Sequence, residues 1–334
     1  MAEVFSLGIP IGWYAVVESS ELLPGDVREL RAFGQDLVLF RTESGRAHVV
    51  DAYCPHLGAH LAAWPEDKPA RAEGETIRCP FHHWRFDGRG RCVEIPYSKS
   101  VPAAFREKQV LRSWPVEELM GLIFVWHHPN EAPPLWQPQL IEEFVSPDWL
   151  HVIREEWVID AAIQEIQENL VDRAHNMTIH GATAPESIFD FDGHRLRGSQ
   201  RSPFTRRSGV EDFTCVEPFL FGPGQGYTVH TGFMPSLNFS RMLPIEMNRT
   251  SVRLDILLKA EEAAAFGEQG IRAIGKEVIR QFNQDLTIWN RKRYEPRPLL
   301  AEGDGPIAQF RRWYSQFYVE PKTVSNPEAE SRTA

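Results

Sequence analysis

In the first third of the chain the apolar positions come in short runs, Leu37–Arg41, Ala47–Ala52 and Gly121–His127. Runs of that length, bounded by polar residues, predict strands. Trp84–Phe86 and Cys92–Ile95 flank Asp87-Gly88-Arg89-Gly90, a turn sequence that predicts a hairpin. Residues 127–139, HHPNEAPPLWQPQ, then carry four prolines in thirteen positions. Proline lacks an N–H and clashes inside a helix, so no element continues through this stretch. A domain boundary is expected there, between residues 135 and 136.

Beyond it the period changes. Ile159 to about Asn176 reads as a helix, and Asp212–Leu220, Gly226–Met234 and Thr250–Leu258 read as strands. In the last, Val252, Leu254, Ile256 and Leu258 alternate with Arg253 and Asp255, the pattern of a sheet with one wet face. A long helix over about Glu262–Arg293 carries an apolar stripe of Ile271, Ile274, Val278, Phe282 and Trp289, and Asp285 falls on that stripe. Phe310, Trp313, Tyr314, Phe317 and Tyr318 recur at helical spacing and are expected to pack against the sheet. The polar tail, residues 321–334, is expected to be disordered. The pattern therefore predicts an α+β protein. A small all-β domain spans residues 1–135, and an α+β domain on an antiparallel sheet with long helices spans residues 136–320.

Charge narrows the function classes. Asp plus Glu number 46 against 36 Lys plus Arg, a formal charge of −10, so the basic footprint of a nucleic-acid binder is missing. The longest apolar run, Met120–Trp126, is far short of a membrane span. The start, MAEVFSLGIPIGW, lacks the basic segment and long apolar core of a secretory signal, so a cytoplasmic protein is expected. Of the four cysteines, Cys92 and Cys215 are expected to be free buried thiols.

The other two sit beside histidines, as Cys54-x-His56, then after twenty-two residues Cys79-x-x-His82. A zinc finger normally places both cysteines in one arm and both histidines in the other. Mixed arms fit a [2Fe–2S] cluster whose one iron takes two thiolates and whose other takes two imidazoles, which also raises its potential. A structural zinc ion is the competing reading of the same residues. His60 and His83 fall outside the spacing and read as ordinary loop histidines. CPHLGAHL, CPFHHWRFDGRGRC and the later EIPYS resemble the Rieske domain of Rieske non-haem iron oxygenases. The separation between His56 and Cys79 is longer than is usual there. The extra residues, around WPEDKPARAEGE, are expected to form a surface loop that leaves the ligands alone.

A second constellation lies at residues 168–181, ENLVDRAHNMTIHG. Asn169, Asp172 and His175 follow at spacings of three, which places them on one face of a helix. His180 lies about 140° further round. Both imidazoles reach one metal only if the helix ends between them, and Gly181 permits such an ending. Two histidines and one carboxylate suit Fe(II) with open positions for O₂. Asp285 is a candidate carboxylate, because burying it on an apolar stripe is costly without a cation; an Arg salt bridge would serve as well. Asp172 is a rival, and Asp190 and Asp192 are weaker ones.

Asn-x-x-Asp-x-x-His-x-x-x-x-His, with QDLTIWNRKRYEPRPLL and EGDGPIAQFRRWYSQFY further on, is similar to oxygenase components of the 3-ketosteroid 9α-hydroxylase type and to cholesterol 7-desaturases. The resemblance implies a helix-grip (START-like) catalytic domain after the Rieske domain, with the cluster on Cys54, His56, Cys79 and His82. It also implies a mononuclear Fe(II) on His175, His180 and Asp285. Asp172 would link His175 to His82 of a neighbouring subunit in a homotrimer, with Asn169 a further catalytic candidate. Electrons from NAD(P)H would arrive through a ferredoxin, a ferredoxin reductase or both. O₂ would then be used to oxidise a C–H bond of a steroid or sterol by hydroxylation, desaturation or methyl-group oxidation. A non-steroid aromatic or alicyclic substrate is the alternative within this class. A Rieske electron carrier and a sterol-binding protein without catalysis compete from other classes, but a carrier needs neither this length nor the 168–181 motif.

Overall fold

The computed structural model describes residues 7–183, 186–205, 211–232 and 235–320. Up to His127 the chain is built from short antiparallel strands in three sheets. Val27–Ala32, Gln35–Arg41, Ala47–Asp51 and Ser113–Trp114 form one. Ala72–Glu73, Thr76–Arg78, Arg85–Asp87 and Cys92–Glu94 form the second, and Gly12–Glu18, Leu122–His127 and Val116–Leu119 the third. The runs read from the sequence are all strands here, and the DGRG turn joins Arg85–Asp87 to Cys92–Glu94. Gly90 takes a left-handed φ of 71° and lies against the Leu111 carbonyl, where a Cβ would have no room.

The proline-rich stretch contains no helix or strand between His127 and Glu142. After it comes one seven-stranded antiparallel sheet. We label its strands in chain order: β1 Trp149–Ile159, β2 Glu186–Asp192, β3 Arg195–Thr205, β4 Glu211–Phe221, β5 Gln225–Thr231, β6 Ser236–Glu246 and β7 Arg249–Lys259. β2 to β7 form an unbroken meander, and β1 pairs with β7 at the far edge. Four helices matter for the site: α1 Ile163–Glu168, α2 Arg173–Thr178, α3 Ala260–Trp289 and α4 Ile307–Tyr314.

Alternation along the central strand gives the sheet two faces. Leu237 and Phe239 of β6 pack with Leu257, Phe310, Tyr314, Phe317 and the N-terminal Trp13, Phe124 and Trp126. The aromatic stripe after residue 306 thus packs against the sheet as expected. Asn238, Ser240 and Met242 point to the other face, where α3 lies.

Three expectations are corrected. Ile159–Asn176 is not one helix: β1 runs to Ile159, and α1 and α2 are separated by residues 169–172. The reason is a cap, because Asp172 Oδ1 accepts the His175 N–H at 3.1 Å and starts a new helix. The long helix begins and ends earlier, at Ala260 and Trp289, and is interrupted at Gly267 by φ 63°. The strand placed at Gly226–Met234 is Gln225–Thr231, and Met234 lies outside the described residues, as does the 321–334 tail. β1, β2, β3 and β6 were not evident from periodicity.

A buried ionic cluster ties the sheet to the N-terminal strands. Asp255 on β7, fully buried, receives Arg154 from β1 at 2.6 Å and Arg241 from β6. Glu18, from the strand Gly12–Glu18, meets the same two arginines at 2.6 and 3.4 Å. Removing Asp255 leaves the buried Arg241 with Glu18 alone, at 3.4 Å. Asp255→Ala is therefore expected to lower stability by about 3–5 kcal/mol in denaturant unfolding; a loss below about 1 kcal/mol would show the cluster to be dispensable.

Candidate functional site

Each Cys/His loop is the same turn. Cys54 N–H donates to Ala59 O at 2.9 Å and Gly58 N–H returns to Cys54 O at 2.9 Å. Cys79 N–H donates to Trp84 O at 2.8 Å and His83 N–H returns to Cys79 O at 3.1 Å. The residue four after each cysteine has a left-handed backbone, Gly58 at φ 74° and His83 at φ 59°. His83 therefore occupies a turn position where the other loop uses glycine, and its exposed ring stacks on Trp64. His60 accepts the Ala62 N–H on Nδ1 and meets Tyr53 edge-on.

The two loops converge. Both cysteines are buried, and their sulfurs lie within hydrogen-bond reach of each other. The backbone N–H groups two and three residues on, His56 and Leu57 in one loop, Phe81 and His82 in the other, donate to the sulfurs. The hydrogen bond from Cys54, helped by these N–H groups, holds Cys79 down at about 6, a thiolate range. The same contact and burial push Cys54 up. The His56 and His82 rings lie 4.8 Å apart and half-buried, and His56 stacks flat on Trp84. Two sulfurs inside and two imidazoles toward the surface could hold a two-metal cluster with a different ligand pair on each metal. Exposed Leu57, Phe81 and Tyr97 belong to the same loops and the EIPYS segment. Cys92 is buried in the adjoining core and Cys215 is half-buried on β4; both are free thiols.

The second constellation sits where α2 and α3 face each other. α2 stops at Thr178, closed by Ala182 N–H on Asn176 O at 2.9 Å and by Gly181 at φ 69°. His175 thus stays on the helix and His180 on the loop after it, which brings their rings to 5.1 Å. Asp285 on α3 reaches His180 Nε2 with Oδ2 at 3.3 Å. Its Oδ1 is buried without a hydrogen-bond partner. One ligand atom from each of His175, His180 and Asp285 lies within 4.8 Å of the others. A cation there satisfies the orphaned carboxylate oxygen, so the residues fit a metal.

The ring nitrogens turned away from this point are held. His175 Nδ1 bonds the Asp172 main-chain carbonyl at 2.6 Å, and His180 Nδ1 meets Gln284 Oε1 at 3.3 Å. Each ring then presents Nε2 inward. Burial acts to lower the His180 pKa, but the bond to and charge of Asp285 together raise it. Asp172 caps α2 through its carboxylate and serves His175 through its carbonyl, so it is not the carboxylate that orients the ring. Asn169 is the C-terminal cap of α1 and not a member of one helical face with Asp172 and His175. Asp190 and Asp192 lie exposed on edge strand β2, outside this group.

A cavity of about 460 Å³ opens beside the three residues, between α3 and the sheet. Ile166, Val216, Met242, Leu254, Phe282 and Trp289 give it apolar walls, and Asn169 lines it too. His230 and Asn238 on its floor carried no motif that sequence reasoning could have used.

Comparison with known proteins agrees with both halves. The family described as "Rieske [2Fe-2S] domain" matches residues 12–114, and the "3-Ketosteroid 9alpha-hydroxylase C-terminal domain" matches residues 125–318. The oxygenase component of a 3-ketosteroid-9-alpha-monooxygenase from Rhodococcus rhodochrous is 33% identical over 94% of this chain and 85% of its own. A cholesterol 7-desaturase from Ciona intestinalis is 32% identical over 93% of this chain and 69% of its own. Among solved structures, the terminal oxygenase of carbazole 1,9a-dioxygenase from Novosphingobium sp. KA1 superposes with a TM-score of 0.65 at 19% identity, covering 95% of each chain. Dicamba monooxygenase superposes with a TM-score of 0.63 at 18% identity, over 92% of this chain and 96% of its own. These two structural likenesses bear on the fold alone. Gln284→Leu, which frees the His180 ring, is expected to weaken Co²⁺ binding to the metal-stripped protein about 10–100-fold in a spectroscopic titration; unchanged affinity would remove Gln284 from the site.

Proposed function

Because the chain belongs to the Rieske non-haem iron oxygenase family, with a Rieske domain followed by a 3-ketosteroid 9α-hydroxylase C-terminal domain, we propose that it oxidises a C–H bond of a steroid or sterol as the oxygenase component of a multicomponent system. The observation that carries this reading is the His175–His180–Asp285 group beside an apolar cavity of about 460 Å³. We assign the [2Fe–2S] cluster to Cys54, His56, Cys79 and His82, and the mononuclear iron to His175, His180 and Asp285. An iron held by two imidazoles and one carboxylate keeps coordination positions open for O₂ and supplies the oxidising chemistry. The chain's own part is to keep Nε2 of both histidines inward, through Asp172 O and Gln284 Oε1, and to exclude water with Ile166, Met242, Phe282 and Trp289.

In this reading electrons come from NAD(P)H through a ferredoxin or ferredoxin reductase, which docks near the half-buried His56 and His82. The same reading places the protein in the cytoplasm, where free Cys92 and Cys215 remain reduced; no described helix is long and apolar enough to cross a membrane. The exposed apolar side chains Leu57, Phe81 and Tyr97 beside the cluster ligands support a subunit contact there, and we propose a head-to-tail homotrimer. In it Asp172 positions His175 through its carbonyl, while its half-buried carboxylate meets His82 of a neighbouring copy.

Cys54→Ser and His82→Ala are expected to abolish the Rieske visible and EPR signals, and an intact spectrum in either variant would refute that ligand assignment. Asp285→Ala should keep those signals, lose the mononuclear iron and lose turnover of a sterol panel under ¹⁸O₂; full iron content and activity would place the third ligand elsewhere. Asp172→Asn should keep both centres and the oligomer yet fail to oxidise a pre-reduced cluster in a single turnover with substrate and O₂. Wild-type-like oxidation coupled to product would remove Asp172 from the route.

A further inference from the structure

We propose that Asn238 and His230 form the point of the cavity that receives a hydroxyl group of the substrate, so that the substrate class is an apolar alcohol and not the matching ketone. This inference rests on the steroid or sterol reading above and narrows it. Asn238 lies on β6 and His230 on β5, next to each other on the sheet face that floors the cavity. Asparagine is a poor strand former, and here it stands between Leu237 and Phe239, whose side chains fill the opposite face. Its place on a central strand is therefore not explained by the strand itself.

The hydrogen bonds around the pair leave the Asn238 carbonyl oxygen unmet. Asn238 Nδ2 donates to His230 Nε2 at 3.3 Å, so that nitrogen is the acceptor and the ring proton resides on Nδ1. Burial holds the imidazole neutral, at about 4, which is what an accepting Nε2 requires. Asn238 is 7% exposed, and its Oδ1 is buried with no hydrogen-bond partner. Ser236 Oγ, two residues earlier on the same face of β6, is buried without a partner as well. A buried carbonyl oxygen left unpaired is costly, and it can be satisfied only by a donor.

A hydroxyl supplies that donor. A ketone brings only lone pairs and leaves Asn238 Oδ1 unmet. Thr228 and Ser240 adjoin the pair, while Val216, Met242, Leu254 and Phe282 give the cavity large apolar surfaces, so a polar group here would be recognised on a largely apolar ligand. With the amide of Asn238 turned the other way, Nδ2 would be the open group and the preference would invert. The two arrangements therefore predict opposite outcomes.

The test is equilibrium dialysis of the iron-loaded protein against labelled 5α-cholestan-3β-ol and 5α-cholestan-3-one, delivered from cyclodextrin. The pair shares one skeleton and differs only at one oxygen, and binding is read without turnover. The alcohol is expected to bind about 10–100-fold more tightly than the ketone. Asn238→Leu should bring the two to within about threefold of each other, chiefly by weakening the alcohol, while iron content and the cluster spectrum report that the variant is folded. Tighter binding of the ketone, equal binding of both by the wild type, or an alcohol preference that survives in Asn238→Leu each overturns the proposal and leaves the steroid reading standing. Binding of neither overturns the steroid reading and this proposal with it.

Discussion

A carboxylate on the apolar face of a helix sets the terms for the catalytic half of this molecule. Asp285 shares its face of α3 with Val278, Phe282 and Trp289 and is itself 8% exposed. One of its oxygens touches His180 and the other has no partner. An ionised carboxylate so placed opposes folding unless a cation or strong donors meet it. His180 can supply one bond. A metal shared with His175 would supply the rest, and would make the cavity-lining face of α3 and the α2 terminus parts of a single site. The ending of α2 serves the same end. The helix stops at Thr178, before Gly181, so that His180 on the following loop turns back to His175, where a continuous helix would have turned them apart.

The N-terminal pair of loops solves a related problem by repetition. Each loop presents its sulfur to two backbone N–H groups at the same offsets from the cysteine, and each closes on that cysteine's own carbonyl. A backbone that already points N–H dipoles at the sulfurs favours their charged form, the form a metal takes. The imidazoles sit further out, on the side where Leu57 and Phe81 are exposed. The extra residues between His56 and Cys79 supply none of the four ligand side chains, though Trp64 among them stacks on His83 of the second loop. They run through the bridge between Asp26 and Arg71 and the Ala72–Glu73 strand, and Arg78 lies over Trp64.

What could be read ahead of the structure was what spacing encodes. Mixed Cys/His arms, the five-residue step from His175 to His180, and a carboxylate on an apolar stripe are local patterns, and family resemblance joined them. What depends on tertiary partners was not legible. α1 falls inside the helix expected over Ile159–Asn176, but Ile-Gln-Glu-Ile-Gln-Glu gives no sign that all six residues are buried, with Glu168 clamped by Arg311 at 2.6 and 2.9 Å and Gln167 held by Tyr314 and the Pro223 carbonyl. β1 escaped notice because an edge strand with Arg154, Glu155 and Glu156 in its middle shows little apolar alternation. β6 escaped for a different reason: its cavity face carries Ser236, Asn238 and Ser240, so polar residues stand where an ordinary core strand would be apolar. Those residues are legible only once the sheet shows which way they point.

The central claim is that one chain carries two unlike iron centres, and Mössbauer spectroscopy of the ⁵⁷Fe-loaded, reduced protein addresses it most directly. Two of the irons should show as the inequivalent pair of a [2Fe–2S]⁺ cluster with mixed sulfur and nitrogen ligation, and a third as isolated high-spin Fe(II), in a ratio of about 2:1. A spectrum with the cluster pair alone in the freshly loaded wild type would contradict the second centre. Equivalent cluster irons would contradict the division of ligands between thiolates and imidazoles.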